Sequence, residues 1–530
     1  MVMSFDGANV ISATKPLGAA IMPNIPEFRD SIFWYQLYRP GAMAAEASSI
    51  ELKKAPPNTL SAETALTPEQ GPSESNYNSD RAIISGDDEN PPTGVAEFSL
   101  PPVDRGKDAW GFLAACFVLE ALVWGFPFSF GVFQDYYRTH EPFAGSSKIA
   151  VIGTTAMGIM YLDIPIIMAV QRIYPKPTRY APVAGLLFLC LALAISSFSQ
   201  NVTHLILTQG VLYAIGGSIC YCPCMLYMDE WFVKRKGFAC IIQHSANFII
   251  DGVMWSGTGL GGFTIPLLLE FFLNKYGFRT TLRIWALAMF VLSAPLVWFI
   301  KPRLPFSATA HYRPFNLKFL ANRSFGMYQL TNIVQGVGYF LPGIYLPTYA
   351  RVYLDAGDFP SALTLLVLNV GSVIGCVAMG TLIDRLHVTT CLGIATVGTA
   401  IGTFFLWGLG SNLASLYVFC FVYGMFAGCY TSSWPGIMSH LMSIGSGSRE
   451  ENSGSRSTYD PLMVVGWLSA GRGIGNVVSG PLSEALLKGM PWQGQAAGGY
   501  GSGYGTLIAF TGATAVVGGS TFLFRRIGWL

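Results

Sequence analysis

The chain is 530 residues long, 52% hydrophobic and only 12% charged, with a mean hydropathy of +0.44, far from the averages of soluble globular domains. A formal net charge of +2, from 32 Lys and Arg against 30 Asp and Glu, argues against a nucleic-acid partner, because phosphate binding needs a concentrated basic surplus. Of its 10 cysteines, Cys116, Cys190, Cys376, Cys391 and Cys420 sit inside apolar runs, where a thiol behaves as a small hydrophobe and not as part of a disulfide framework.

Residues 1–106 are rich in Pro, Ser, Glu and Asn, as in Pro56-Pro57-Asn58 and Glu74 to Asp80, with no sustained periodicity and no cleavable signal peptide. They read as a disordered cytoplasmic tail. The aromatic patch from Phe33 to Tyr38 is given no function.

From Asp108 onward, apolar stretches of about twenty residues recur, each long enough as a helix to span a hydrocarbon layer of roughly 30 Å. Lipid offers no partner to an open N–H or C=O, so each segment must satisfy its own backbone as a helix. The predicted spans are 109–133, 149–171, 181–199, 204–228, 250–272, 281–300, 325–350, 361–383, 389–408, 413–437, 462–487 and 503–524. They form an all-α membrane protein of two six-helix halves, 107–300 and 323–530, joined by a central cytoplasmic loop at 301–322.

Orientation follows from the short loops, where Lys and Arg stay on the cytoplasmic side. Arg172, Lys176 and Arg179 follow span 2, Lys234 to Lys236 follow span 4, and Lys301, Arg303, Arg313, Lys318 and Arg323 follow span 6. Arg385, Arg449, Arg456, Arg525 and Arg526 continue the pattern, placing both termini in the cytoplasm. Lys275, Arg279 and Arg283 run against it. The sequon Asn201-Val202-Thr203 falls in a tight external loop. Alternate spacing of Cys220, Cys222 and Cys224 spreads them over different helix faces, so packing is expected and no metal. Gly257 with Gly261, and Gly471 with Gly475, have the small-x-x-x-small spacing of close helix approach in lipid.

Several motifs in these spans carry a family likeness. Asp108-Ala109-Trp110-Gly111-Phe112, Trp124-Gly125-Phe126-Pro127, Glu230-Trp231-Phe232-Val233-Lys234-Arg235-Lys236-Gly237, the glycine run Gly257 to Gly262 and Tyr276-Gly277-Phe278-Arg279 together resemble the fungal monocarboxylate-transporter-like branch of the major facilitator superfamily. Gly380-Thr381-Leu382-Ile383-Asp384-Arg385 and Ala470-Gly471-Arg472-Gly473-Ile474-Gly475 extend the resemblance over about residues 108–524. It implies a secondary active transporter that moves a small organic solute, here a monocarboxylate, by alternating access with proton coupling. Asp384 and Arg385 would then be a gating latch. The Asp and Arg that mammalian-type members place in span 8 have no counterpart in 361–383. Residues 240–251 also look like an addition, as an insertion or a gene-model artefact. They would make one helix of Phe238 to Leu273 roughly 54 Å long, so a break is expected near His244 to Asp251.

An ionisable group at mid-membrane costs about 2.5–3.5 kcal/mol and calls for a partner or a water-filled cavity. Arg472, halfway along span 11, offers a planar fork of donors to a carboxylate, or serves as a structural tie. Glu120 in span 1 and Asp163 in span 2 are candidates for proton coupling, with Pro165 beside Asp163 suggesting a backbone break as its other use. Asn332, Gln335 and Tyr339 in span 7, Asn369 in span 8 and Trp124 in span 1 are candidate cavity-lining groups, or interhelix ties. The expected partners are a small solute, protons and lipid. No cofactor is expected, and the carrier reads as a monomer of the plasma membrane. An efflux or vitamin-type carrier and a non-transporting nutrient sensor are the alternatives. An enzyme is not expected, since no Gly-rich phosphate loop or H-E-x-x-H motif is present.

Overall fold

The computed structural model describes residues 106–232, 243–304, 316–446 and 459–530, with backbone alone at 229, 243–256, 445 and 446. The tail, the patch from Phe33 to Tyr38, Lys234 to Lys236, Arg313, Arg449 and Arg456 lie outside them. The described residues contain helices and no strand.

Among the described residues, seven helices are long and apolar enough to cross a membrane. Those carrying single spans are α1 (Lys107–Thr139), α4 (Val202–Met228), α8 (Asp358–Ile383), α9 (Val388–Trp407), α10 (Leu413–Ile444) and α12 (Gly505–Arg526). The remaining one belongs to the continuous segment Gln243–Val297, which holds two spans, α5 and α6, meeting at Gly277. The bent pair Ile149–Leu162 and Ile164–Ile173 forms α2, and the shorter apolar helix Ala181–Ser196 is α3. Two helices outside that apolar set bring the number among the described residues to twelve: α7 (Arg323–Tyr353) and α11 (Pro461–Leu487). Their lower apolarity has a cause. Gln329, Asn332, Gln335, Arg472, Asn476 and Ser479 sit on these two helices, which pack against each other.

Lipid-facing positions are legible from exposure. Leu187 and Leu191 of α3, Leu287 and Val291 of α6, Val397 and Phe405 of α9, and Val516 and Leu523 of α12 are all exposed. A water-soluble chain rarely leaves such belts open, so α3, α6, α9 and α12 form the rim of a multi-pass membrane protein.

Breaks in the helices have local causes. At Gly277 the backbone reaches φ 74°, ψ 168°, a region that favours glycine, and the chain folds back there. The break expected near His244 to Asp251 is absent: the described backbone is helical from Gln243, so the helix before Gly277 is about 50 Å long. Helix α2 bends by 40° at Asp163, whose side chain makes no capping hydrogen bond; Pro165 sits in the first turn beyond, where its missing N–H does no harm. Helix α10 tightens to 3-10 geometry over Gly428–Ser433. The basic residues on the unexpected side are held locally: Arg283 donates to Ser197 Oγ at 3.0 Å and lies 4.8 Å from the Phe198 ring, while Lys275 lies over Phe271 and Tyr276.

Within the halves, α1 packs on α5, α3 on α4, α7 on α11 and α8 on α10; across them, α2 packs on α11 and α5 on α8. Glycine makes these seams close. A Cβ at Gly261 would stand 2.2 Å from the Ala121 carbonyl oxygen, and one at Gly475 would stand 2.6 Å from that of Ile333. The Glu230-Trp231 motif braces the end of the first half. Glu230 accepts the Arg303 and Leu304 N–H groups, and the Trp231 indole donates to the Lys301 carbonyl at 2.9 Å.

Replacing Gly261 by Val should force α1 and α5 apart and cost about 1–3 kcal/mol. A thermal melt of the purified variant in detergent is expected to fall by several degrees, and an unchanged melt would refute this account of the seam.

Candidate functional site

Between the two halves lies a cavity of about 440 Å³. Its wall takes Glu120, Trp124 and Phe128 from α1, Tyr161 from α2, Tyr221 from α4, Thr258 from α5, Tyr339 from α7, Asn369 and Cys376 from α8, Trp434 from α10 and Ser469 from α11. It extends to Gly380, Thr381 and Asp384, at the bundle end that carries the basic loops.

The opposite end is closed by charge. Arg351, at the end of α7, donates through Nε to Asp135 of α1 at 2.5 Å and lies 3.3 Å through Nη2 from Glu270 of α5. Its Nη1 pairs with Asp358 at the start of α8, and Asn274 Nδ2 bridges Glu270 and Asp358 at 3.1 Å each. Asp135 and Glu270 belong to the first half, Arg351 and Asp358 to the second. A partly buried guanidinium with several charged partners is held far more firmly than an exposed pair. Arg138 adds a contact across the halves, donating to the Tyr504 hydroxyl at 3.3 Å.

At the basic end Arg172 of α2 pairs with Asp460, the residue capping α11, at 2.5 Å. Asp384 stands at the cavity mouth. Both Asp384 and Arg385 are exposed, and neither side chain forms an ion pair among the described residues.

The expected site residues divide into two groups. Glu120, Trp124, Tyr339 and Asn369 line the cavity. Glu120 Oε1 accepts the Thr258 hydroxyl at 2.7 Å, and the Asn369 amide ties α8 to α5 by donating to the Gly262 carbonyl at 3.0 Å. Asn332, Gln335, Arg472 and Asp163 are not part of the wall. Asn332 is fully buried and donates to the Leu468 carbonyl at 2.6 Å, tying α7 to α11. Asp163 remains at the α2 bend.

Arg472 lies behind Tyr339, with no exposure at all. Its Nη1 donates to Gln335 Oε1 at 2.6 Å, and its guanidinium carbon lies 4.0 Å from the Tyr339 ring centre, 5.4 Å from Phe340 and 5.8 Å from Tyr430. Cation–π contacts are worth about 2 kcal/mol when desolvated, which offsets only part of the cost of burying a charge. Nε and Nη2 have no hydrogen-bond partner, and no carboxylate pairs with Arg472, among the described residues.

Sequence reasoning missed the Arg351 group and the aromatic wall of Tyr161, Tyr221 and Trp434. Asp135, Glu270, Arg351 and Asp358 each sit near a span end, where a single charge reads as topology-fixing; their convergence depends on how the helices are arranged. Tyr161, Tyr221 and Trp434 read as ordinary apolar positions of their helices.

Residues 179–454 match the family described as the Major Facilitator Superfamily. The chain is 28% identical over 291 residues to the MFS-type transporter pytF of Aspergillus terreus, covering 54% of this chain and 92% of that protein. It is 24% identical over 363 residues to monocarboxylate transporter 10 of Mus musculus, covering 63% and 67%. Its fold is similar to that of the nucleoside transporter NupG, with a TM-score of 0.56 at 13% identity, over 80% of this chain and 100% of that one. With a family match over more than half its length, two six-helix halves and a cavity between them, this chain belongs to the Major Facilitator Superfamily.

Proposed function

We propose that the protein is a secondary active carrier that moves a small organic anion, a carboxylate, through the central cavity by alternating access, with protons as the coupling ion. The observation that carries this reading is Arg472: a buried guanidinium with two idle donors and no carboxylate paired with it among the described residues. A carboxylate reaching past Tyr339 would supply the missing charge and a bidentate acceptor. In the captured state the cavity faces the basic end, which is the cytoplasm by the charge rule, and the Arg351 clasp holds the outer end shut.

Rocking of the halves about the α2–α11 and α5–α8 seams would open the clasp and close the cavity mouth. Asp384 and Arg385, free on the open side, are then positioned to latch the closed one. Glu120, hydrogen-bonded to Thr258 inside the cavity, is the group through which a proton would enter the cycle. The plasma membrane is the expected location.

In vesicles containing the purified protein, Arg472→Ala is expected to cut uptake of the transported acid about 10- to 100-fold, the loss of one or two charge-assisted hydrogen bonds. Uptake at the wild-type rate would remove Arg472 from the site. Glu120→Gln should leave carriage of the acid measurable while abolishing its response to an imposed pH gradient; an unchanged response assigns coupling elsewhere. For the clasp, a variant with Cys376 as its one remaining cysteine should react with a maleimide added from the cytoplasmic side. Adding Arg351→Gln should slow that reaction several-fold by shifting the population toward the other state; an equal rate would refute the clasp as a gate.

A further inference from the structure

Resting on the carrier reading, the chemistry of the cavity wall narrows the cargo. Six aromatic side chains from both halves line it: Trp124, Phe128, Tyr161, Tyr221, Tyr339 and Trp434. Five of them form a continuous path, which Phe340 joins to Tyr339. Trp124 and Tyr161 lie 4.6 Å apart between ring centres, Tyr161 and Trp434 6.2 Å, and Trp124 and Tyr221 5.8 Å. Tyr161 and Trp434 thus make aromatic contact across the two halves.

Size points the same way. A volume of about 440 Å³ falls within the roughly 300–1,000 Å³ typical of sites for drug-sized ligands. A three-carbon acid would leave most of this space to water and touch few of the rings.

The polar atoms in the wall add direction. The indole nitrogens of Trp124 and Trp434 are buried and have no hydrogen-bond partner among the described residues, with each residue 4% exposed. An indole N–H donates and cannot accept, and an orphaned buried donor is costly enough to call for a partner. With the idle Nε and Nη2 of Arg472 behind Tyr339, the donors without a partner outnumber the one such acceptor of the wall, Glu120 Oε2, which itself becomes a donor once protonated. A ligand that fits presents flat aromatic faces to the rings and oxygen acceptors to the donors.

We propose that the cargo is a planar aromatic or conjugated carboxylate bearing at least one further acceptor oxygen, with Trp124 and Trp434 as the residues that select it. The carboxylate belongs to Arg472, the ring system to the aromatic path, and the second oxygen to an indole N–H. A Trp→Phe change keeps an aromatic face and deletes only the donor, so it separates stacking from hydrogen bonding.

The test is calorimetric binding to the purified full-length protein in lipid nanodiscs, with 6-methoxy-2-naphthoate, 2-naphthoate and lactate as probes. The two naphthoates are expected to bind at least about 100-fold tighter than lactate, with the methoxy compound tighter than its parent. This ranking needs no variant. At least one of Trp124→Phe and Trp434→Phe should weaken 6-methoxy-2-naphthoate about fivefold and leave 2-naphthoate within twofold, as expected for one lost hydrogen bond. Lactate binding as tightly as the naphthoates, or no binding of either naphthoate, overturns the aromatic assignment. Equal binding of both naphthoates by wild type and by both Phe variants overturns the indole selection. Either failure leaves the carrier reading standing, because that depends on loss of uptake in Arg472→Ala for whichever acid is carried.

Discussion

Helices immersed in lipid gain little by hiding apolar side chains from one another, since the surrounding hydrocarbon is as apolar as their own surfaces. Cohesion has to come from close packing and from hydrogen bonds between helices. That constraint explains the two most visible features of this bundle. Glycines stand where helix backbones approach, as at Gly261 against Ala121 and Gly475 against Ile333. Polar side chains such as Asn332 and Asn369 are spent on carbonyl groups of neighbouring helices. Apolar side chains go outward instead, onto α3, α6, α9 and α12.

The interface between the halves is built from two close seams and a few specific polar contacts. The seams α2–α11 and α5–α8 run beside the cavity. Away from them, charge closes one end: Arg351, at the end of α7, gathers Asp135, Glu270 and Asp358 from three other helix ends. Such a clasp is strong while partly dry, and water entering between the halves would weaken every pair in it at once. A device of this kind gives two discrete arrangements, closed and parted, which is what a rocking carrier requires.

Arg472 stands apart from those structural charges. Asp135, Glu270 and Asp460 have cationic partners, whereas the guanidinium of Arg472 relies on Gln335 and three aromatic rings. The aromatic shell excludes water and keeps the guanidinium's charge strong at short range, so an anion entering the cavity meets a field that bulk solvent would have screened. The ring path through Tyr161 and Trp434 surrounds the same space with flat, polarisable walls.

Sequence alone determined the lipid setting, the two halves and nearly every span, because runs of about twenty apolar residues with basic flanks leave few other structures open to a backbone that must satisfy itself. The ends of α7 to α11 fall within a few residues of the spans read from hydropathy, apart from a longer α10. It also picked out Arg472 and Glu120, because a lone charge in an apolar run is conspicuous by its cost. Tertiary structure alone decided which polar residues reach the cavity: Asn332 and Asn369 look alike in sequence and both tie neighbouring helices, yet only Asn369 also lines the cavity. It alone assembled the Arg351 clasp and the aromatic wall, whose members lie far apart along the chain and carry no local periodic signal of their meeting. The break at Gly277 falls in the gap already read between spans 250–272 and 281–300, at a residue that permits a positive φ, whereas the continuity of the helix through residues 244–251 was visible only in the structure.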